Sequence, residues 1–181
     1  MKTYLITGAA GFIGANFIKY MLAKYPEIKI VVLDLLTYAG NLGTIAEDID
    51  GERCEFVKGN ICDRALTDEL FAKYQFDYVV NFAAESHVDR SVVDPGIFLQ
   101  TNILGTGVLM DACRKTAEKI LSKGSYAVSL AKSVINAGQD MDLSNGLKME
   151  ADAFGFTFST HDKREGMTAF LEKRPAELTD F

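Results

Sequence analysis

Histidine is scarce in this 181-residue chain: His87 and His161 are the only two, too few and too isolated to suggest a zinc site. Cysteine is scarce as well. Cys54, Cys62 and Cys113 show no CxxC and no metal spacing, and an odd number reads as reduced thiols in a cytoplasmic protein, not as a disulfide framework. No apolar run reaches the roughly 18 residues that a membrane span needs. The short apolar stretch after Lys2 imitates a signal peptide, but its glycines have a better explanation. Excess positive charge is missing too. The net charge is −6, which argues against nucleic acid or an anionic membrane surface as a main partner. There are no internal repeats and no low-complexity tracts.

What is present is enough apolar sequence to bury a core, and an uneven charge. Up to Cys113 there are 9 basic and 15 acidic residues, and from Arg114 onward 10 and 10. The first two-thirds therefore carries the whole imbalance, a first sign of two unlike parts: residues 1–115 and a tail over 116–181.

The first part alternates strand and helix. Thr3–Thr7 reads as a strand, and Phe12–Lys24 as a helix with Phe12, Ile13, Phe17 and Met21 at helical spacing, closed by Pro26. Lys29–Asp34 is a β-branched run typical of a buried parallel strand, and Cys54–Lys58 is a third strand. Asp63 is an N-cap for a helix to Tyr74, and Asp77–Phe82 is strand four. Pro95 starts a helix through Leu99, Ile103 and Leu109 to about Cys113 or beyond. Such alternation implies a parallel sheet with right-handed crossovers, a partial Rossmann-like sheet of strand order 3-2-1-4. The fifth and sixth strands of a full doubly wound sheet do not follow. Instead the tail reads as all-helical: Thr116–Ser122, Tyr126–Ala137 with Gly138 as C-cap, Asp142–Phe158, and Asp162 to about Lys173, the last burying Met167, Phe170 and Leu171.

Function is carried by Thr7-Gly-Ala-Ala-Gly-Phe-Ile-Gly14, between the first strand and the first helix. Gly8 permits the tight turn, Gly11 lets a pyrophosphate approach the backbone, and Gly14 lets helix and sheet pack closely. The helix N-terminus offers free N–H groups and partial positive charge. Asp34, ending the next strand, is placed to accept from ribose hydroxyls and to repel a 2′-phosphate. Leu35 and Leu36 supply no cation for such a phosphate, which favours NAD over NADP. Asn60 and Ile61 follow strand three, where an amide can bond to the adenine and an Ile can pack on its face; Ala83 and Ala84 leave room after strand four. Ser86, His87, Asp89 and Arg90 suit either a phosphorylated or nucleotide-linked substrate or a capped, solvated helix start.

These residues resemble dTDP-glucose 4,6-dehydratases, extended short-chain dehydrogenases/reductases. The segments carrying the likeness are the glycine turn, Leu33–Asn41, Gly59–Asp63, Asn81–Ser91 with its Ala-Glu-Ser-His-Val-Asp-Arg-Ser run, and Thr101–Thr106. The resemblance implies NAD contacts from Phe12, Ile13, Asp34, Leu35, Leu36, Thr37, Asn60, Ile61, Phe82, Ala83, Ala84, Glu85, Ser86 and Thr101, with Ser86 also touching a nucleotide-sugar substrate. Position 60 is usually Asp in that family and position 35 commonly Lys; here they are Asn and Leu. The family's catalytic Tyr-x-x-x-Lys and Asp–Glu pairs are missing from their places. The two Tyr-x-x-x-Lys matches, Tyr20/Lys24 and Tyr25/Lys29, fall on or just after the first helix, where they read as surface residues, so no catalytic residue is assigned.

From about Thr116 the tail resembles the C-terminal helices of enoyl-CoA hydratases, through Ala131–Gly138, Leu147–Gly155 and Glu165–Arg174. In that family, positions matching Phe170 and Lys173 touch CoA adenine; here they read as core and solvated face. Two families meeting within one helix near residues 113–118 suggests an assembled chimera. The expectation is an NAD-binding dehydratase-like half without full activity. Its alternatives are an active nucleotide-sugar dehydratase, a non-enzymatic scaffold whose tail covers the open sheet edge, and an enoyl-CoA hydratase fragment.

Overall fold

The structure is a computed structural model and describes residues 1–179; the last two residues of the expected tail lie outside the described residues. Four parallel strands, β1 (Lys2–Thr7), β2 (Ile28–Asp34), β3 (Cys54–Lys58) and β4 (Tyr78–Asn81), form one sheet in the order β3-β2-β1-β4. This is the expected 3-2-1-4 arrangement. The register pairs Thr7 with Leu33 and Asn81, and Asp34 with Lys58. The C-terminal strand ends are thereby aligned along one edge, where ligands of such sheets bind.

Alternation along each strand divides the core in two. Ile6, Ile30 and Val32 point to one face and pack with Ala15, Ile18 and Met21 of α1 (Phe12–Lys24). Leu5, Val31 and Leu33 point to the other, against Leu70 of α2 (Arg64–Tyr74) and Leu109 of α5 (Thr106–Leu121). A parallel sheet covered on both faces needs such continuous apolar strands. Asp63 caps α2 as expected, its carboxylate accepting from the Leu66 N–H at 3.1 Å.

Between β4 and α5 the sequence expectation needs correction. A six-residue helix, α3 (Val88–Val93), starts after His87, at the helix start that is one of the two readings of residues 86–90, although three valines in six positions have poor helix propensity. Pro95 does start a helix, α4 (Pro95–Phe98), with Asp94 accepting from the Gly96 and Ile97 N–H groups. It passes into a π-helical segment, Leu99–Gly105, and then α5. Local widening of this kind follows packing, not side-chain spacing.

The chain divides into two compact units, residues 1–114 and 115 onward. The division falls inside α5, which is unbroken to Leu121, so the helical stretch expected from Thr116 continues the helix before it, and the two parts meet within one helix. The second unit holds α6 (Ser125–Gly138), α7 (Leu143–Thr157) and α8 (His161–Glu172). Gly138 is the last residue of α6, and Gln139 caps it in the right-handed region, so Gly138 is not a left-handed cap. Thr160 and Asp142 cap α8 and α7 through their side chains. The expected burial in α8 also fails: Met167, Phe170 and Leu171 are exposed, and Ala169 is its buried residue. Phe170, 79 % exposed, is therefore not core. No helix of the described residues is long and apolar enough to cross a membrane.

Candidate functional site

A cleft of about 190 Å³ opens at the C-terminal ends of the strands, in the first unit. It is lined by Gly8 and Gly11 from the turn after β1, by Asp34, Leu35 and Thr37 after β2, and by Asn60 and Ile61 after β3. Phe82, Ala83, Ala84 and Glu85 after β4, with Thr101 of the π-helical segment, also line it. Four chain segments far apart in sequence thus converge because the register aligns their strand ends.

The glycines earn their places by distance. Gly8 has φ +64°, and a Cβ there would meet the Ala83 nitrogen at 2.4 Å. At Gly14 a Cβ would meet Ala9 Cα and Gly8 O at 2.6 Å, so this residue fixes how closely α1 approaches the turn. Around Gly11 the nearest obstacle is Gly8 O at 3.2 Å, which leaves its cleft side open. Gly11 caps α1 without a side-chain hydrogen bond, so no side chain takes the first-turn N–H groups. Those groups and the helix dipole make a seat for a diphosphate.

Asp34 is the most constrained side chain of the site. It is 8 % exposed. Its Oδ2 accepts from the Ala10 N–H at 2.9 Å, and its Oδ1 from the Leu36 N–H at 2.7 Å. The carboxylate therefore ties the end of β2 to the glycine turn, and each oxygen keeps a lone pair for a further donor. Leu36 pays with a left-handed backbone, φ +57°, a conformation rare for such a residue.

Asn60 Oδ1 accepts from the Cys62 N–H at 2.9 Å, which fixes the amide orientation and leaves Nδ2 as a donor. Glu85 is 6 % exposed, and its Oε2 has no hydrogen-bond partner among the described residues. Its backbone is clamped by Asn102, which accepts from Glu85 N and donates to Glu85 O, each at 2.8 Å. An open glycine cradle, a fixed carboxylate and an orphaned buried oxygen together fit a dinucleotide ligand.

Phe12, Ile13, Gly14, Leu36 and Ser86 do not line the cleft. Phe12 and Ile13 are exposed at the start of α1, Leu36 packs on the core, and Ser86 is exposed. Arg90 stacks on the Tyr38 ring at 4.1 Å, and His87 meets the same ring edge-on at 6.1 Å. The loops after β2 and β4 are thus joined beside the cleft. Sequence reasoning missed Leu33, Ala39, Gly40, Gly59, Ile97 and Gln100 as lining residues. Ile97 was within reach, since it precedes Thr101 by four residues, one helical turn.

Neither Tyr-x-x-x-Lys match lies in the cleft. Lys24 donates to Tyr20 on the outer face of α1, and Lys29 is salt-bridged to Glu55. Tyr20 lies eight residues along α1 from Phe12, about 12 Å from the glycine turn at 1.5 Å per residue.

The chain matches the family model of GDP-mannose 4,6 dehydratase over residues 5–129, and that of enoyl-CoA hydratase/isomerase over residues 96–180. The overlap, 96–129, includes all of α5. The dTDP-glucose 4,6-dehydratase of Xanthomonas campestris pv. campestris (strain B100) is 52% identical over 114 residues, 63% of this chain and 32% of the relative. That of Escherichia coli is 46% identical over 110 residues, 61% of this chain and 30% of the relative. Among solved structures, the Bacillus anthracis dTDP-glucose 4,6-dehydratase in complex with NAD superimposes with a TM-score of 0.56 at 38% identity, covering 64% of this chain and 34% of that one. The Streptomyces venezuelae enzyme, solved with NAD bound, gives 0.58 at 41% identity, covering 64% and 36%. The chain spans about a third of the length of these relatives. The α-helical segment after the sheet is enoyl-CoA hydratase-like, and by its sheet, its glycine turn and its sequence the chain belongs to the GDP-mannose 4,6 dehydratase family.

Proposed function

We propose that the first unit binds NAD through its adenosine diphosphate half and does not complete a dehydratase cycle. The observation that carries this reading is the Asp34 carboxylate, locked onto the glycine turn by Ala10 and Leu36 N–H groups with lone pairs still free. In this reading Gly8, Gly11 and the start of α1 hold the diphosphate. Asp34 accepts from the adenosine ribose, Ile61 packs against adenine, and Asn60 donates to it. The chain Phe82–Glu85 and Thr101 border the remainder, with Leu35, Thr37, Phe12 and Ile13 at the rim. Bound NAD would supply a hydride acceptor. The nearly uncharged floor at Ala83 and Ala84 leaves space beside it, and Glu85 offers an acceptor oxygen from below.

The cleft encloses less than the roughly 300–1,000 Å³ of a complete small-molecule site. It suits half a dinucleotide, and it leaves the nicotinamide end without a second wall. Neither tyrosine–lysine pair reaches it, so no side chain here is assigned proton transfer to a sugar hydroxyl. A nucleotide-sugar remains the substrate class that the likeness to dTDP-glucose 4,6-dehydratases supports.

Thermal melting with NAD, ADP-ribose and nicotinamide mononucleotide tests the reading. NAD and ADP-ribose should raise the melting temperature by similar amounts, and the mononucleotide should do little. An unchanged melt at millimolar NAD would reject cofactor binding. Formation of a 4-keto-6-deoxy sugar from dTDP-glucose under NAD saturation would reject the absence of turnover.

A further inference from the structure

We propose that the free edge of β4 is a docking site for an extended apolar segment of another polypeptide, added as a strand parallel to β4 and flanked by basic residues. In the sheet order β3-β2-β1-β4, β4 stands at one end and pairs with β1. The Phe82 N–H donates to Thr7 O at 3.0 Å. Alternation along the strand gives Tyr78 and Val80 the same direction, and turns the N–H and C=O groups of Val79 and Asn81 away from β1. A row of such outward groups is a template for pairing with another chain.

The two edges of the sheet are built differently. At β3 the chain covers its own edge: Asp50 Oδ1 accepts from the Cys54 N–H at 2.9 Å, and the Gly51 N–H donates to Cys54 O at 3.1 Å. Glu55 and Lys58 also put charge on that strand. Charge and covering loops are two ways in which edges are kept from pairing. β4 reads Tyr-Val-Val-Asn and carries no charge. Among the described residues no further strand lies on its outer side.

Position and surroundings name the occupant. α5 follows β4 and packs through Leu109 on the sheet face of Leu5 and Val31. A right-handed crossover of that kind returns the chain as a parallel strand, which in the order 3-2-1-4-5-6 belongs beside β4. The described residues after α5 form helices, so that place is open to a strand from elsewhere. A helix borders the edge on each face. On one, Ile13, Phe17 and Tyr20 share a stripe of α1, positioned by the contact of the Phe17 and Phe82 rings at 5.3 Å. On the other, Thr106, Met110 and Cys113 share a stripe of α5, positioned by Asn81 Nδ2 donating to Thr106 Oγ1 at 3.3 Å. Ile13, Tyr20 and Met110 are between 54 % and 67 % exposed. A strand entering between two such helices must be apolar on both faces, as β2 is. Residues 1–114 carry 10 basic and 15 acidic side chains, so basic flanks complement this unit.

Fluorescence anisotropy of the full chain with a labelled peptide, Lys-Lys-Val-Ile-Val-Ile-Val-Lys-Lys, tests this. Binding should saturate in the micromolar range. A peptide with Pro at its centre, which lacks a ladder donor, and one with Glu in place of every Lys should each bind at least about tenfold more weakly. Val79→Pro removes an outward donor and should weaken binding about tenfold. Met110→Lys, at an exposed position that leaves folding intact, should weaken it as well, whereas Leu171→Lys on α8 should bind as the parent does. In the parent, the peptide should raise deuterium protection of residues 78–82 and leave 54–58 unchanged, a readout that needs no variant. A nitroxide on the peptide N-terminus should broaden the amide signals of Asp77 and Tyr78 more than those of Phe82 and Ala83. No binding at millimolar peptide, equal binding of the Pro or Glu peptides, indifference to Met110→Lys, protection at β3 instead of β4, or the reverse broadening would each overturn the proposal.

Discussion

Removing the Asp34 carboxylate should have two separable effects, because the side chain has two jobs. In the free protein it accepts from the buried Ala10 N–H and the half-buried Leu36 N–H. Hydrogen bonds to a charged group contribute about 1.5–3 kcal/mol, and a buried donor left without an acceptor costs about 1–3 kcal/mol. Water can reach Leu36 more easily than Ala10, so Asp34→Ala should cost about 2–4 kcal/mol before any ligand is added. For a unit of 114 residues that is a fall of about 8–16 °C in melting temperature, at about 4 °C per kcal/mol. Asp34→Asn keeps one acceptor and sets an amide against the other N–H, so its cost should be smaller, about 1–3 kcal/mol. The second effect appears on adding NAD. Loss of a charged acceptor for the ribose should weaken binding by about 1.5–3 kcal/mol, roughly 10- to 150-fold. Circular dichroism melts without NAD report the first effect. The ligand-induced increment, which is about 2.7 kcal/mol at a hundred times the dissociation constant, reports the second. An Asp34→Ala protein that melts like the parent would refute the tie to the glycine turn. One that melts low yet binds NAD as tightly as the parent would refute the ribose contact.

Other perturbations have equally definite outcomes. Gly8→Ala puts a Cβ 2.4 Å from Ala83 N at a positive φ, and should cost about 3 kcal/mol in urea unfolding as well as the NAD response; an unshifted midpoint would contradict the geometry. Arg174 holds the Glu165 carboxyl at about 2, below its usual 4.5, with the Glu177 N–H assisting. Its folded value lies below the unfolded one, so this stabilisation is present above about 4.5 and is lost as pH falls toward about 2. Arg174→Ala should return Glu165 to the ordinary carboxylate range in a side-chain NMR titration. Burial, with Asp50 and Asp48 nearby, pushes the Cys54 thiol up to about 12. Cys54 should therefore resist thiol reagents at neutral pH until the sheet unfolds, and prompt labelling in the native protein would contradict its placement in the core.

Much of the first unit was legible residue by residue. The bounds of α1 and β3 and the Asp63 cap follow from local pattern, since period and capping chemistry act within a few residues. The glycine turn and Asp34 were legible for the same reason. What Asp34 touches was not: Ala10 lies 24 residues away, and that contact exists only because β1 and β2 pair in one register. Asn60 illustrates the limit differently. Its residue type allowed accepting or donating, and the Cys62 N–H chose between them.

The helical unit shows the opposite balance. Spacing located α7 to within a residue at each end, and the start of α8 to within a residue. Yet an apolar stripe states only that a face prefers to leave water; it does not name what will cover it. Phe170 and Leu171 have core chemistry and surface positions. Sequence alone determined the strand–turn–helix cofactor signature and the order of the elements, because those rest on interactions between near neighbours. Tertiary structure alone decided the convergence of four strand ends into a cleft, the clamped carboxylate, the π-helical segment and the uncovered helix faces, because each depends on which distant atoms arrive at the same place.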